Sequence, residues 1–385
     1  MISPADGCRR VYITSLRGKK MKKTITVITV GVVCAVSSLA AQTVSKFKGV
    51  VFADYAYNLE NHTEAAVDQN AFSIRRVYLT FENNLTQNIK MRFRLESAHD
   101  KFGTSNKINP FVKHAYLEWS NFLPSHKLYL GIAETNAFKN AENYWGYRSI
   151  EKTIMDLNKI SSSADMGLAL KGDLGSWLHH WLTVYNGTGY GSAEVDNYKK
   201  VGYALWVTPV EGLILEGYVD YEKQDPATGT FKYAKDYFQG SGYTTMKAFV
   251  GYSGLSFTVG AEAFIRTNRE SGAVDAAGSG RVDVKKQGYS LFGSWITPVP
   301  KLKMFARYDS YDPNTANDTW VSDTENGRND EYSLIIAGLD FIPRGNIHFM
   351  PNIMIKQYSD SGLKNDITAR MTLYYTFDTG KITIE

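Results

Sequence analysis

Charged residues stand at every second position in Ile89-Lys90-Met91-Arg92-Phe93-Arg94-Leu95-Glu96. In an extended strand Lys90, Arg92, Arg94 and Glu96 share one face, and Ile89, Met91, Phe93 and Leu95 share the other. A row of fixed cations with no nucleophile beside it makes and breaks no bonds. It attracts counter-ions, orients polar solutes and sorts ions by charge. Where the alternation is cleanest, basic residues on such faces are Arg76, Lys90, Arg92, Arg94, Arg266, Lys303, Arg307, Lys356 and Arg370. The acidic ones are Glu82, Glu96, Glu118, Glu216, Asp220, Glu222, Glu262 and Asp309. The signs are mixed overall but unevenly placed. Arg76, Lys90, Arg92 and Arg94 form a basic wall, while Glu216, Asp220 and Glu222 form an acidic wall further along the chain, and facing walls of this kind set a transverse field.

Catalytic patterns are weak by comparison. Gly251-Tyr252-Ser253-Gly254 reads as a hairpin turn with no helix after it, unlike a nucleophile elbow. His179 and His180 are neighbours on a strand and point to opposite faces, which suits no metal pair. Gly187-Thr188-Gly189-Tyr190-Gly191 leads into a polar loop rather than the helix that a nucleotide loop needs. The only cysteines, Cys8 and Cys34, lie near the N-terminus. The expectation is a protein without enzymatic activity, metal or cofactor. A barrel enzyme and a receptor or adhesin acting through its loops are the alternatives.

About sixteen period-two segments hold these residues, near 46–58, 71–83, 88–98, 112–120, 127–136, 163–172, 177–187, 200–208, 213–222, 243–252, 255–266, 286–296, 301–311, 329–341, 346–357 and 365–377. Leu255, Phe257, Val259, Ala261, Ala263 and Ile265 share one face, as do Ala369, Met371, Leu373, Tyr375 and Phe377. The even-to-odd connections are short: 84–87, 121–126, 173–176, 209–212, 253–254, 297–300 and 342–345. The others are long and polar, except 358–364. Short turns at one end and long loops at the other predict an all-β, antiparallel up-and-down transmembrane barrel. An even strand count puts both termini on the short-turn, periplasmic side. Trp119, Trp177, Trp181, Trp206, Trp295, Phe122, Phe341 and Phe377 all lie near short turns, where an interfacial aromatic girdle belongs.

The N-terminus carries an export pattern. Lys19, Lys20, Lys22 and Lys23 precede an apolar run from Thr24 to Val36, then Ser37-Ser38-Leu39-Ala40-Ala41. The run is too short to span a bilayer, and Met21 offers an alternative start. Residues 1–41 are read as an extension and cleaved signal, and 42–385 as one outer-membrane barrel domain of a Gram-negative cell. Removing residues 1–41 takes away seven Lys/Arg and one acid, leaving 36 basic against 38 acidic residues. The basic balance belongs to the signal, so nothing argues for nucleic acid as a partner. The remaining chain has no cysteine, which excludes thiolate chemistry and disulfides. At 13% aromatic and 43% hydrophobic over its full length, the sequence is not that of a disordered chain.

The third long connection, 138–162, is the longest. It carries Glu142, Tyr144, Trp145, Arg148, Glu151, Lys152, Asp156 and Lys159, with Ile150, Ile154 and Leu157 at helical spacing. A polar loop with its own apolar stripe is expected to fold inward and pack on the wall as a constriction.

Phe72-Ser73-Ile74-Arg75-Arg76-Val77-Tyr78-Leu79-Thr80-Phe81, the basic strand at 89–96 and Asn143-Tyr144-Trp145-Gly146-Tyr147-Arg148-Ser149-Ile150-Glu151-Lys152-Thr153 resemble the family of phosphate-selective porins O and P. Ser161-Ser162-Ser163-Ala164-Asp165-Met166-Gly167 and Tyr185-Asn186-Gly187-Thr188-Gly189 resemble its later segments. The resemblance covers essentially the whole chain after residue 41. It implies a sixteen-stranded outer-membrane porin, typically a homotrimer, with the third long loop in the lumen.

A phosphate path needs cations with few competing acids, and these faces mix signs. The expected function is passive diffusion of small hydrophilic solutes and ions, with anion or phosphate selectivity as the alternative. The expected partners are the outer-membrane bilayer, the solutes and the barrel-assembly machinery. One departure is the end of the chain: barrels often finish on an aromatic residue, but eight residues follow Phe377.

Overall fold

The structure is a computed structural model, and it describes residues 43–99, 108–194, 197–223, 242–269, 283–315, 331–380 and 382–384. The export segment 1–41, with both cysteines, lies outside the described residues.

Sixteen strands follow in order: β1 Thr43–Glu60, β2 Asn70–Asn84, β3 Ile89–His99, β4 Ile108–Ser120, β5 His126–Glu134, β6 Ala164–Asp173, β7 Leu178–Tyr185, β8 Lys200–Val207, β9 Leu213–Lys223, β10 Gly242–Ser253, β11 Phe257–Arg269, β12 Val284–Ile296, β13 Leu302–Asp312, β14 Tyr332–Arg344, β15 Ile347–Tyr358 and β16 Asp366–Asp378. Each pairs antiparallel with the next, and β1 pairs with β16, with Asp54 opposite Thr372 and Phe52 opposite Tyr374. That last pairing closes the barrel and removes its sheet edges, the condition for strands to cross lipid with every backbone group satisfied. A short strand β17, Ile382–Ile384, follows β16 after Thr379-Gly380 and pairs with residues 43–45 of β1. The chain beyond Phe377 thus continues the same edge of β1 instead of stopping at the aromatic.

The period-two pattern sorts the side chains. Met246, Val259, Leu291, Met304 and Met371 are exposed on the outer face, where lipid is the matching solvent. Glu82, Glu216, Asp220, Glu262, Arg307 and Asp309 are buried on the inner face. Trp119, Phe122, Trp177, Trp295, Phe341 and Phe377 are exposed near the short turns, as a girdle requires.

Two girdle assignments are corrected: Trp181 and Trp206 are buried, on the inner parity. Trp181 pairs with inward Lys171, whose ammonium sits 4.4 Å from the indole centroid. Nearness to a turn does not fix which face a residue takes; its parity does. A second correction concerns Leu255, which is at the tip of the turn 254–256 rather than in β11, and is 99% exposed.

Among the irregularities of register, two bulges bear on the lumen. Phe52 faces Arg76 and Ala53 faces Ile74, so Arg75 is the extra residue in β2. Arg94 faces His114 and Leu95 faces Val112, so Lys113 is the extra residue in β4. A bulge turns two successive side chains toward one face. Arg75 and Arg76 both reach inward, and so do Lys113 and His114.

Candidate functional site

Residues 135–163 connect β5 and β6 and contain two short helices, α1 Lys139–Trp145 and α2 Ile154–Leu157. Inside the barrel, β10 to β13 present Phe249, Phe292 and Phe305, all buried. The Trp145 ring lies 5.6 Å from Phe292 and 6.2 Å from Phe305, and Tyr147 stacks on Phe305 at 4.3 Å. Tyr144 meets Phe249 at 5.6 Å. Glycines make this approach possible. A Cβ on Gly251 would stand 2.6 Å from the Tyr144 ring, and one on Gly288 2.9 Å from Ile154 Cδ1. Ile150 and Ile154 are fully buried and Leu157 packs at the edge of the same cluster. Ile150 precedes α2 and α1 carries the aromatic anchors, so the stripe is shorter than its spacing predicts.

Arginines of the wall hold the loop backbone. Arg75 donates to the carbonyls of Ser149 and Ile150, Arg370 to that of Ile150, Arg307 to that of Lys152, and Arg266 to that of Ile160. These arginines stand on β2, β16, β13 and β11. The segment is therefore gripped from four strands of the barrel.

Within the loop, Arg148 Nε is 2.6 Å from Glu142 Oε2, and its Nη2 is 2.8 Å from Asp156 Oδ2, the latter a close ion contact rather than a directed hydrogen bond. Lys139 reaches Glu142 at 3.0 Å and Glu134 at 3.4 Å. Burial works against the charged guanidinium of Arg148, but Asp156 and Glu142 more than offset it and its pKa is raised. This residue stays cationic.

On the basic wall most charges are already matched. Glu82 is approached by Arg92 at 2.6 Å, Lys48 at 3.0 Å and Lys90 at 3.5 Å. Glu96 is met by Arg76 at 3.1 Å and Lys113 at 3.4 Å, and Glu118 by Lys127 at 2.9 Å. Arg94 differs: its Nε donates to Thr80 and its guanidinium lies 5.0 Å from the Tyr78 centroid.

The acidic wall is also matched, by lysines the pattern of charges did not bring forward. Lys247 is 2.9 Å from Glu216, and Lys200 is 2.9 Å from Asp220 and 3.6 Å from Glu222. The picture of bare opposed walls is corrected accordingly. Arg307 grips Asp309 on its own strand. Glu262 is buried with neither carboxylate oxygen hydrogen-bonded among the described residues.

With the loop seated on the apolar side, open space remains along the other. A narrow cavity of about 110 Å³ is bounded by Arg94, Lys113 and His114 on the wall and by Glu134, Lys139, Glu142 and Arg148 at the loop. A wider chamber of about 750 Å³ lies beneath residues 143–149, toward Ser253, Thr258 and Ser294 at the short-turn end. Both are bounded by Tyr78, Arg94 and Arg148. Of the loop residues expected at a constriction, Glu142 and Arg148 border the narrow cavity, and Tyr144, Trp145 and Arg148 the chamber. Glu151, Lys152 and Asp156 border neither. Of the charged wall residues expected to line the pore, only Arg94 borders both cavities. Arg76, Lys90, Arg92, Glu96 and Glu118 sit in ion pairs around it, while Glu216, Asp220, Glu222, Glu262, Arg307 and Arg370 lie on other strands. Arg75, Lys113, His114, Glu134 and Lys139 escape the period-two reading. The adjacent polar pairs Arg75-Arg76 and Lys113-His114 are the signal that marks the two bulges.

No family model matches the chain, and no curated protein matches it in sequence. Solved structures do match its fold. The outer-membrane channel DcaP of Acinetobacter baumannii superposes with a TM-score of 0.62 at 12% identity, covering 88% of this chain and 99% of that one. The anion-selective porin from Comamonas acidovorans gives 0.58 at 13%, covering 87% and 100%. OmpF of Salmonella typhi, in complex with daunomycin, gives 0.57 at 12%, covering 86% and 97%. The chain has the fold of the outer-membrane porins.

Proposed function

We propose that this protein is an outer-membrane porin, through which small hydrophilic solutes and ions diffuse passively. The observation that carries the reading is the pair of cavities sharing Tyr78, Arg94 and Arg148, between a loop held inside a closed barrel and the charged wall of β2 to β5. A barrel filled solely for stability has no need of charged side chains along an open cleft. In this reading residues 1–41 are removed on export and the barrel-assembly machinery inserts the rest. The porin fold and the resemblance to phosphate-selective porins O and P both support a homotrimer.

A preference for anions is the second reading, and the narrow cavity favours it. Four cations, Arg94, Lys113, Lys139 and Arg148, border it against two carboxylates, Glu134 and Glu142. Charge lining a cavity along the path weighs more on ion sorting than the balance of the whole lumen. Single-channel recording in a planar bilayer under a KCl gradient tests both readings. Ohmic steps with a reversal potential toward chloride are expected, and phosphate titrated in separates general anion preference from phosphate block. Silence from a correctly folded barrel would overturn the porin reading.

A further inference from the structure

The inner face of a water-filled barrel is ordinarily polar. The rings under the loop are no exception to explain, because Trp145, Tyr144 and Tyr147 cover Phe249, Phe292 and Phe305. A second set of rings lies outside that cover: Phe52 is buried, Tyr78 carries the guanidiniums of Arg76 and Arg94 at 5.6 and 5.0 Å, and Tyr374 is half-buried. His348 on β15, Tyr374 on β16 and Phe52 on β1 stand directly opposite one another across three adjacent strands. Tyr78 on β2 extends the row. Successive centroids are 5.0, 5.6 and 6.1 Å apart, an aromatic strip four strands wide. It borders the 750 Å³ chamber, and Tyr78 and Tyr374 are only half-buried.

The charges around the strip are asymmetric. Asp340 is the carboxylate bordering the chamber, and it is already engaged by His348 Nδ1 at 2.9 Å and the Tyr147 hydroxyl at 3.3 Å. Arg148 is held by Glu142 and Asp156. Arg94 and Lys303 also border the chamber, and neither makes an ion pair among the described residues. Planar rings beside cations that make no ion pair among the described residues suit a ligand that is itself a ring bearing a negative charge: the faces stack, and the guanidinium takes the anion. The volume lies in the range of small-molecule sites.

We infer that the chamber is a binding subsite for small aromatic carboxylates, with the ring against Tyr374 and the carboxylate at Arg94, beside Tyr78. This rests on the porin reading and narrows its solute class. A solute that pauses here crosses by binding and release rather than by diffusion alone.

The test is block of the ion current by benzoate, with hexanoate as an acyclic carboxylate and benzyl alcohol as a neutral ring. Each channel's own solute-free current is its reference. Benzoate should reach half-block at a concentration about fivefold or more below the other two, the order expected for one stacked ring. Tyr374→Leu keeps apolar volume and loses the ring face; it should raise the benzoate value about fivefold and leave hexanoate unchanged. Arg94→Gln should raise both carboxylates. Conducting channels on which benzoate and hexanoate act alike would overturn the subsite and leave the porin reading intact. Block by benzyl alcohol equal to that by benzoate would also overturn it, since the anion would play no part. A folded but silent barrel would overturn both readings.

Discussion

Arg75 and Arg370 donate to the same atom. Arg75 Nη1 lies 3.2 Å and Arg370 Nη2 2.8 Å from the carbonyl oxygen of Ile150, from strands on either side of β1. Two charged donors on one carbonyl fix a loop that has only short helices of its own. Charged hydrogen bonds are each worth about 1.5–3 kcal/mol. The double substitution R75A/R370A is expected to free this part of the loop and raise open-channel current noise, each single change doing less. Quiet recordings indistinguishable from the parent would show that the two arginines do not restrain it.

Deletion of 141–159 removes both helices and uncovers Phe249, Phe292 and Phe305. If this segment sets the narrowest cross-section, the single-channel step should enlarge. An unchanged step would place the constriction elsewhere.

Arg92 and Arg94 are two positions apart on one face, yet their surroundings differ. Arg92 is paired with Glu82, whereas Arg94 borders both cavities without an ion pair among the described residues. Arg94→Glu should therefore move the reversal potential toward cations more than Arg92→Glu does. Equal shifts, or none, would argue against Arg94 as the sorting residue.

Lys247 and Glu216 have no exposed side-chain surface. Lys247→Met leaves a buried carboxylate alone near Glu262, a change that typically costs about 3–5 kcal/mol. Urea unfolding in detergent should shift to markedly lower concentration, and adding Glu216→Leu should recover much of the loss. A single variant as stable as the parent would show that water reaches the pair.

Gly131 has φ +122°, and a Cβ there would lie 2.2 Å from the Ala115 carbonyl oxygen on the neighbouring strand. Gly146 has φ +69° with nothing nearer than 4.0 Å. Gly131→Ala should abolish the compact band seen on unheated gels, while Gly146→Ala should cost only about 1 kcal/mol. Similar folded yields would mean that β4 and β5 can part without penalty.

Strand number, their order and the alternation of short and long connections were all legible in the sequence. These follow from local rules: period two at 89–96 and 369–377, and polar segments between. The third connection was legible as a long polar segment with spaced isoleucines, and the structure buries Ile150 and Ile154. What tertiary structure alone decided was which charges remain available. Glu216, Asp220 and Glu222 look like an acidic wall until β8 and β10 bring Lys200 and Lys247 beside them, because partners across a sheet are set by register rather than spacing. Trp181 and Trp206 turned inward by their parity along β7 and β8, which nearness to a turn does not give. Arg75 and Lys113 entered the lumen through bulges, which a strict alternation reverses. The aromatic row from His348 to Tyr78 joins residues from both ends of the chain. It exists only because β1 pairs with β16, a closure that no local stretch of sequence contains.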